Sequence, residues 1–361
     1  MRRLLDDEPQ SIAVVRPRTG LGDLLCTVPA LRALRRRLPS AHVALVTFAE
    51  MADVAERMRP WIDELVAFPG HPGIPERVPR RSEIAPFFAA ARARGFDLAL
   101  QMYGASTAAR EVTAAIGARR TGGFLDHGDP SLDPAAWAPY PEDEHEILRH
   151  LRLLAHLGAE PDGDHLTFPI RAEDRKAAAR LTSDAGLRSP FALLHPGATS
   201  PSRRWPHDRF AAVADALVAR GLHVALIGTR AERPAARRGA APCVDLRGRT
   251  ELGCVAALIE RAAIVVGNDS GPAHLAAALG THSVTIFLSG DPVRWAHGAP
   301  RHRAARVQVE CNPCRHLECP IDHRCATRVG VERVIAEADV ALGGRRTMPP
   351  WTSISAAGAS I

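Results

Sequence analysis

Three segments of this sequence place polar side chains directly after short apolar stretches, where an α/β protein binds phosphorylated ligands. The first segment, Val15–Leu25, contains Gly20, Gly22 and Asp23. A glycine-rich turn lets a ligand approach the backbone, and the N-terminus of the following helix favours negative charge. Asp23 either complements that helix dipole or acts as a general base at the end of the strand. Leu25 replaces the third glycine of a dinucleotide fingerprint, which disfavours a dehydrogenase.

The second segment combines hydroxyl groups with arginines. His195 ends an apolar stretch, and Thr199, Ser200 and Arg203 follow in a proline-containing loop. Backbone N–H groups, hydroxyls and a guanidinium can together hold a diphosphate, and arginine neutralises a departing diphosphate without a metal. The alternative is a connecting loop whose arginines are simply solvated.

The third segment leads from an apolar stretch into a helix. It contains Asn268, Asp269, Ser270, Gly271, Pro272 and His274. Pro272 favours a first helical position, so N–H groups at this end would be free to meet phosphate or sugar hydroxyls. Asp269 or Ser270 could instead only cap the helix. His274, one turn into the helix, is more often a buried histidine than a ligand.

Four of the seven cysteines are clustered near the C-terminus, with two histidines between them. The cluster consists of Cys311, Cys314, Cys319, Cys325, His316 and His323. Four thiols at this spacing indicate a structural zinc site, reduced or redox-labile thiols, or an iron–sulfur site. A catalytic metal is not expected. The single Asp-x-Asp match, Asp162–Asp164, lies between the predicted domains and is interpreted as a solvated turn.

Short apolar stretches alternate with helical patterns along most of the chain, as in βαβ units with parallel sheets. The predicted strands are Ile12–Arg16, His42–Thr47, Asp97–Gln101, Arg120–Phe124, Phe191–His195, His223–Gly228, Ile264–Gly267 and Ser283–Phe287. The predicted helices include Leu24–Leu38, Ser82–Ala93, Glu144–Leu157, Asp208–Ala219 and Glu251–Arg261. This pattern predicts an α/β protein with two Rossmann-like, doubly wound parallel sheets facing each other across a cleft.

Composition places a domain boundary in the middle of the chain. Stretches rich in Asp, Pro and Gly interrupt the alternation between residues 126 and 164, so we expect one domain at 1–170 and a second at 171–345. Residues 346–361 are predicted to be a disordered tail.

The 361 residues are 46% hydrophobic and 24% charged, which is typical of a globular protein. The net charge of +6 suits an anionic partner such as a nucleotide or an anionic membrane surface, although solvated arginines explain it equally well. No nucleic-acid motif is present. No stretch approaches 18 apolar residues, so we expect a cytoplasmic protein, with peripheral contact to the inner face of a membrane as an option.

The three segments, in this order, resemble the family 9 glycosyltransferases, which include the lipopolysaccharide heptosyltransferases. The matching motifs are Gly22-Asp23, Pro29-Ala30-Leu31, His195–Gly197, Arg203–Pro206, Asn268–Leu275, Asp291-Pro292 and Trp295. The resemblance spans about residues 12 to 298 and implies the two-domain GT-B fold, with an acceptor-binding N-terminal domain and a donor-binding C-terminal domain.

The resemblance also implies roles for individual residues. Asp23 resembles the catalytic base, and Arg203 stands where the family usually has a lysine on the donor phosphates. Glu232 resembles the acidic residue that contacts the nucleotide ribose. The other residues implied in donor binding are Thr199, Ser200, Asp269, Ser270, Gly271 and His274.

The resemblance implies an inverting, metal-independent transfer of a heptose-like sugar from an ADP-sugar to a lipid-linked or saccharide acceptor, as in lipopolysaccharide core synthesis. Two alternatives use the same cleft: a nucleotide-sugar epimerase, and a non-catalytic protein that binds sugar nucleotides.

Overall fold

A computed structural model of the protein describes residues 3–126, 132–232, 242–298 and 300–343. The predicted tail, residues 346–361, lies outside this part of the chain. Within the described ranges, no helix combines the length and the apolar character needed to cross a bilayer.

The first sheet is formed by the N-terminal part of the chain. Its strands are β1 (Ser11–Val15), β2 (His42–Thr47), β3 (Glu64–Ala67), β4 (Leu98–Gln101), β5 (Arg120–Leu125) and β6 (Trp137–Pro139). They lie in the order β3-β2-β1-β4-β5-β6, and neighbouring strands are parallel.

The second sheet repeats this arrangement. Its strands are β7 (Phe191–His195), β8 (His223–Leu226), β9 (Cys243–Asp245), β10 (Ile264–Asn268), β11 (Ser283–Ile286) and β12 (His302–Ala305). Its strands lie in the order β9-β8-β7-β10-β11-β12. When the strands of each sheet are numbered from one along the chain, both sheets have the same order, 3-2-1-4-5-6. This is the doubly wound order that the sequence predicts.

The helices cover both faces of these sheets. Those before the connection are α1 (Leu21–Leu25), α2 (Val28–Arg37), α3 (Ala52–Arg57), α4 (Arg81–Ala93), α5 (Thr107–Ala115) and α6 (Glu146–Leu157). Those after it are α7 (Ala172–Asp184), α8 (His207–Ala219), α9 (Leu252–Arg261), α10 (Gly271–Leu279), α11 (Pro292–Trp295), α12 (Arg324–Arg328) and α13 (Val331–Ala341). Single 3-10 turns occur at Leu4–Asp7, Ala49–Met51 and Pro201–Arg203.

Each sheet has its own hydrophobic core on both faces. The parallel strands are almost entirely buried, as expected for a sheet covered by helices. Helix α6 packs against α2, and α7 packs against α9, so the connection between Leu157 and Ala172 separates two lobes. We call the part before it the N-lobe and the part after it the C-lobe. The proposed boundary at residue 170 falls in this connection.

The eight predicted strands are all present, and the structure corrects the prediction in two respects. The four strands at the sheet edges, β3, β6, β9 and β12, were not predicted because each has only three or four residues, too few to show a strand pattern. The predicted helix Leu24–Leu38 is in fact α1 followed by α2. Proline in the first turn of α2 explains the break, because Pro29 has no N–H to donate to the carbonyl of Leu25.

Candidate active site between the lobes

Ligands of doubly wound sheets bind at the carboxyl edge, where the strand order reverses. In the N-lobe that point lies between β1 and β4, and in the C-lobe it lies between β7 and β10. The three sequence segments follow β1, β7 and β10, and therefore surround these two points.

Asp23 lies in α1, directly after the first strand. Its side chain is 24% exposed to solvent. Its Oδ1 lies 3.6 Å from Arg18 Nε and 3.8 Å from Arg16 Nη2. The carboxylate folds back over Gly20, where a Cβ would overlap Asp23 Oδ2. Asp23 is thus a partly exposed carboxylate held between two guanidinium groups.

Helix α1 packs against the start of α10 in the other lobe. A Cβ at Gly22 would overlap the ring of His274, and a Cβ at Gly271 would lie 3.1 Å from a methyl group of Leu21. The two residues before Asp23 in α1 therefore touch the α10 helix. This contact places α1 beside the gap between the lobes, next to the α10 N-terminus.

The loop after β7 is fixed to β10 by an asparagine. Asn268 Nδ2 donates to the carbonyl of Pro196 at 2.8 Å, and its Oδ1 accepts from the backbone N–H of Trp205 at 3.1 Å. Trp205 is fully buried and donates through Nε1 to the carbonyl of Val329. It anchors the end of the loop that carries Thr199, Ser200 and Arg203.

Within this loop, Arg203 reaches the third segment. Its Nη1 lies 3.5 Å from Asp269 Oδ2, and its side chain is 40% exposed. Burial raises the pKa of Asp269 to about 6, although Arg203 opposes the shift. Thr199 is exposed and Ser200 is half-buried. The loop therefore presents a guanidinium and hydroxyl groups next to a carboxyl that titrates near neutrality.

Helix α10 begins without a side-chain cap. Ser270 is at the N-cap position, but its side chain makes no capping hydrogen bond. Its Oγ instead donates to the carbonyl of Asn268 at 2.9 Å and lies 3.0 Å from His195 Nδ1. The capping alternative is therefore wrong for Ser270. Pro272 has no N–H, and the N–H of Ala273 donates to the carbonyl of Ser270 at 3.1 Å, so the N–H of Gly271 is the one in the first turn that is left for a ligand.

Glu232 lies on the far side of the β7 loop. Its Oε2 accepts from the backbone N–H of Thr229 at 2.9 Å, and the carboxylate packs against Gly197 and Gly228, where any Cβ would overlap it. Burial raises the pKa of Glu232. A cavity of about 170 Å³ lies beside these residues, lined in part by His195, Gly228, Thr229, Leu252 and Pro272.

His274 differs from the other predicted donor-binding residues because it is buried in the seam between the lobes. Its Nδ1 lies 3.1 Å from His297 Nε2 and 3.8 Å from the thiol of Cys26, and its ring packs against Trp295. Burial lowers its pKa to about 4. The structure therefore places His274 in the packed seam between the lobes, and its part in donor binding stays a prediction.

The sequence analysis missed a charged cluster beneath Asp23. Arg16, Arg149 and Arg294 converge on Glu146, a carboxylate that is almost fully buried. Arg16 directly follows β1 in the first segment, and this position at the carboxyl end of a strand could have marked it as a candidate site residue. Glu146 is the first residue of α6, where no motif identifies it.

The cysteine cluster lies behind the β7 loop. The backbone of Ser202 donates to the carbonyl of Leu317 at 2.9 Å, and Cys314 donates to the carbonyl of Ser289. The cysteines are free thiols, and burial raises the pKa of the Cys325 thiol. Across the described ranges, no three His, Cys, Asp or Glu side chains are placed to hold a metal ion. The predicted zinc site at Cys311, Cys314, Cys319 and Cys325 therefore lacks its ligand geometry, and this segment supports the β7 loop through backbone contacts.

The Asp-x-Asp match, Asp162–Asp164, is bound to helix α2. Asp162 pairs with Arg36 of α2 at 2.9 Å, and its carbonyl accepts from Arg32 at 3.0 Å. These contacts attach the connection between the lobes to the N-lobe, away from the carboxyl edge of either sheet.

A family model, glycosyltransferase family 9 (heptosyltransferase), matches residues 84–324. The chain belongs to this family. It is a glycosyltransferase, which decides against the epimerase and the non-catalytic binding protein.

Named relatives agree with this assignment. The chain is 25% identical to lipopolysaccharide heptosyltransferase 3 of Escherichia coli K12, over 76% of this chain and 81% of the relative. It is 36% identical to lipooligosaccharide heptosyltransferase 2 of Haemophilus influenzae over 131 residues, which are 34% of this chain and 38% of the relative.

Solved structures show the same GT-B fold. A family 9 glycosyltransferase from Veillonella parvula superposes with a TM-score of 0.72 at 22% identity, covering 92% of this chain and 97% of that one. The E. coli ADP-heptose lipopolysaccharide heptosyltransferase II superposes with a TM-score of 0.66 at 22% identity, covering 92% and 98%. The iron-containing glycosyltransferase TibC from E. coli is more distant, with a TM-score of 0.55 at 14% identity, covering 92% and 76%.

Proposed function

We propose that this glycosyltransferase moves a heptose-like sugar from an ADP-sugar to a saccharide or lipid-linked acceptor, with inversion at the anomeric carbon, as in lipopolysaccharide core synthesis. The names of its relatives support the sugar and the pathway, since they are lipopolysaccharide and lipooligosaccharide heptosyltransferases. Structures of the E. coli heptosyltransferase WaaC with ADP and with an ADP-2-deoxy-2-fluoro heptose support the donor.

The observation that carries the proposal is the contact between α1 and α10. Gly22 and Leu21 touch His274 and Gly271, so Asp23 directly follows the residues that contact the start of α10. The charge of Asp23 also contributes to the raised pKa of Asp269, which precedes that helix. A base on one lobe and an anion-binding helix end on the other can act on opposite sides of one sugar. An inverting transfer requires this arrangement, because the nucleophile and the leaving group lie in line.

In the proposed reaction, Asp23 accepts the proton of an acceptor hydroxyl, and the hydroxyl oxygen attacks the anomeric carbon. The bond from that carbon to the nucleoside diphosphate breaks as the new glycosidic bond forms. Arg203, the Gly271 N–H and the positive end of the α10 dipole stabilise the departing diphosphate. A general base of this kind contributes about 10²–10⁴ to the rate.

The C-lobe offers a place for the rest of the donor. The cavity near Glu232 is lined by His195 at the end of β7 and by Pro272 in the first turn of α10, so a nucleoside held there has its diphosphate close to the α10 N-terminus. Glu232 is then placed to accept hydrogen bonds from ribose hydroxyls. The N-lobe side of the gap, near Asp23 and Arg18, is left for the acceptor, and the basic surface of the protein suits an acceptor held at an anionic membrane.

A panel of ADP-, GDP-, UDP- and dTDP-sugars tests this function. We expect ADP-heptose to raise the melting temperature most and to be consumed only when a saccharide acceptor is added. A larger thermal shift with another base, or consumption of the donor without acceptor beyond slow hydrolysis, would contradict the proposed donor or the proposed reaction.

A further inference from the structure

Glu146, the first residue of α6, gathers guanidinium groups from both lobes. It is only 1% exposed. Its Oε1 accepts from Arg16 Nη2 at 2.8 Å, and its Oε2 accepts from Arg294 Nε at 2.9 Å and pairs with Arg149 Nη1 at 3.1 Å. Burial acts to raise the pKa of Glu146, but Arg16, followed by His150 and Arg294, outweighs it and holds the pKa well below its usual range. The carboxylate is therefore ionised.

On the N-lobe side, Arg16 connects Glu146 to Asp23, the proposed base. Arg16 is also only 1% exposed, and the Nη2 that binds Glu146 donates to the backbone carbonyl of Asp23 at 3.2 Å. The same nitrogen lies 3.8 Å from Asp23 Oδ1. Arg16 Nη1 donates to the carbonyl of Met102 at 2.6 Å. A guanidinium buried to this extent needs a counter-charge, and Glu146 supplies it.

On the C-lobe side, Arg294 connects Glu146 to the short helix α11. Arg294 lies in α11, whose N-cap residue Asp291 accepts from the backbone N–H of Val293 at 2.9 Å. The guanidinium of Arg294 also lies 4.8 Å from the centre of the Trp295 ring. Its ion pair with Glu146 therefore bridges the two lobes from a fixed position.

We propose that Glu146 is a positioning residue that makes the placement of Asp23 depend on closure of the two lobes. This inference rests on the proposed function. When the lobes are closed, Arg294 holds one oxygen of Glu146, which leaves the other aligned on Arg16 and thereby fixes the α1 segment. When the lobes separate, Glu146 loses Arg294 and its Oε2 is held by Arg149 alone. The other oxygen is then less firmly aligned on Arg16, the residue that orders Asp23. The base is then correctly placed only when the donor lobe is in position.

Amide hydrogen exchange tests this coupling without any assay of activity. Arg294→Met removes the ion pair between the lobes, and Arg303→Met is a matched control. Arg303 Nε donates to the buried Glu337 Oε2 at 2.8 Å, the same type of contact, but entirely within the C-lobe. We expect exchange in residues 20–26 to be faster in R294M than in the wild type, and unchanged in R303M. Equal exchange in R294M and the wild type would overturn the proposal.

Kinetics of the full-length enzyme test the same coupling at the reaction. We expect R294M to lower kcat by about 10- to 100-fold, the size of loss that a small misplacement of a reacting group causes, while calorimetry shows unchanged affinity for ADP. Arg294→Lys keeps the charge and should recover part of the rate. In an Asp23→Asn background, R294M should have no further effect. The same fold-loss in both backgrounds would mean that Arg294 acts independently of the base, and the proposal would be wrong.

The two proposals fail in different ways. If the wild-type enzyme transfers no sugar from any donor of the panel, the proposed function is wrong. The exchange comparison still decides whether Glu146 couples lobe closure to the order of the α1 segment.

Discussion

Asp23 is a candidate base because it is partly exposed at the gap while two arginines restrict its position. Neither arginine lies within hydrogen-bond distance of its Oδ1, so this oxygen is not tied up in a direct hydrogen bond to either guanidinium.

Asp23→Asn tests the role of this side chain. The amide occupies the same space but cannot accept a proton from an acceptor hydroxyl, so we expect the transfer rate to fall by about 10²–10⁴. Affinity for ADP, measured by calorimetry, should survive because the donor lobe is unchanged. A variant that keeps most of its activity would exclude Asp23 as the base.

Arg203→Ala tests the diphosphate contact. Loss of a charge-assisted hydrogen bond typically weakens binding by about 1.5–3 kcal/mol, and we expect ADP affinity to fall by that amount. AMP, which lacks the second phosphate, should be affected less and serves as the matched ligand. Equal affinities for ADP in the variant and the wild type would remove Arg203 from the donor site.

At the scale of elements, the contact between α1 and α10 sets the distance between the two halves of the site. Gly22 is required there because a Cβ would overlap the buried ring of His274. A larger residue must therefore push the helices apart or displace the imidazole.

Gly22→Ala measures how far this contact tolerates expansion. An unhindered glycine-to-alanine change in a helix is stabilising by about 1 kcal/mol. Here we expect the overlap to dominate, with a loss of about 1–3 kcal/mol in unfolding free energy and a lower transfer rate. Gly298→Ala is the control, since no atom lies within 4 Å of the added Cβ. If G22A were as stable and active as G298A, the close approach of the helices would be wrong.

The elements also show what the sequence could and could not predict. Central strands such as Phe191–His195 are continuous apolar stretches, so their pattern identifies them and the polar residues that follow them. Edge strands such as Trp137–Pro139 are defined by pairing with a neighbour, which a local pattern does not contain. Likewise, the arginines that connect Glu146 to Asp23 and to the C-lobe are more than 100 positions away, so its own segment does not reveal these contacts.

At the scale of the whole molecule, buried histidines make stability depend on pH. Burial lowers the pKa to about 4 for His195 and His274, to about 3 for His150, and to about 2 for His297. Below pH 6.5 the unfolded chain binds protons at these imidazoles that the folded chain does not bind. Their contribution to stability is therefore complete above pH 6.5 and is lost as the pH falls towards 4.

Urea unfolding between pH 7 and pH 5 checks this expectation. Each such histidine contributes a slope of up to about 1.4 kcal/mol per pH unit, so several together should lower the unfolding free energy by several kcal/mol. Asp269, whose pKa is raised to about 6, opposes this trend with a single group. His297→Gln should reduce the slope. A flat profile over this range would show that the histidines are not buried in their neutral form.

The identical strand order of the two sheets has a consequence for how such enzymes diversify. Each sheet completes its own hydrogen bonding, and a single connection between α6 and α7 joins them in sequence. A chimaera that takes one half from another family member would therefore leave every strand paired with its own neighbours. The contacts between the lobes, such as Gly22 with His274, Glu146 with Arg294 and Arg57 with Asp174, would have to be inherited together. Under the proposed division of binding, recognition of the sugar nucleotide and recognition of the acceptor then change independently, by exchange of one half at a time.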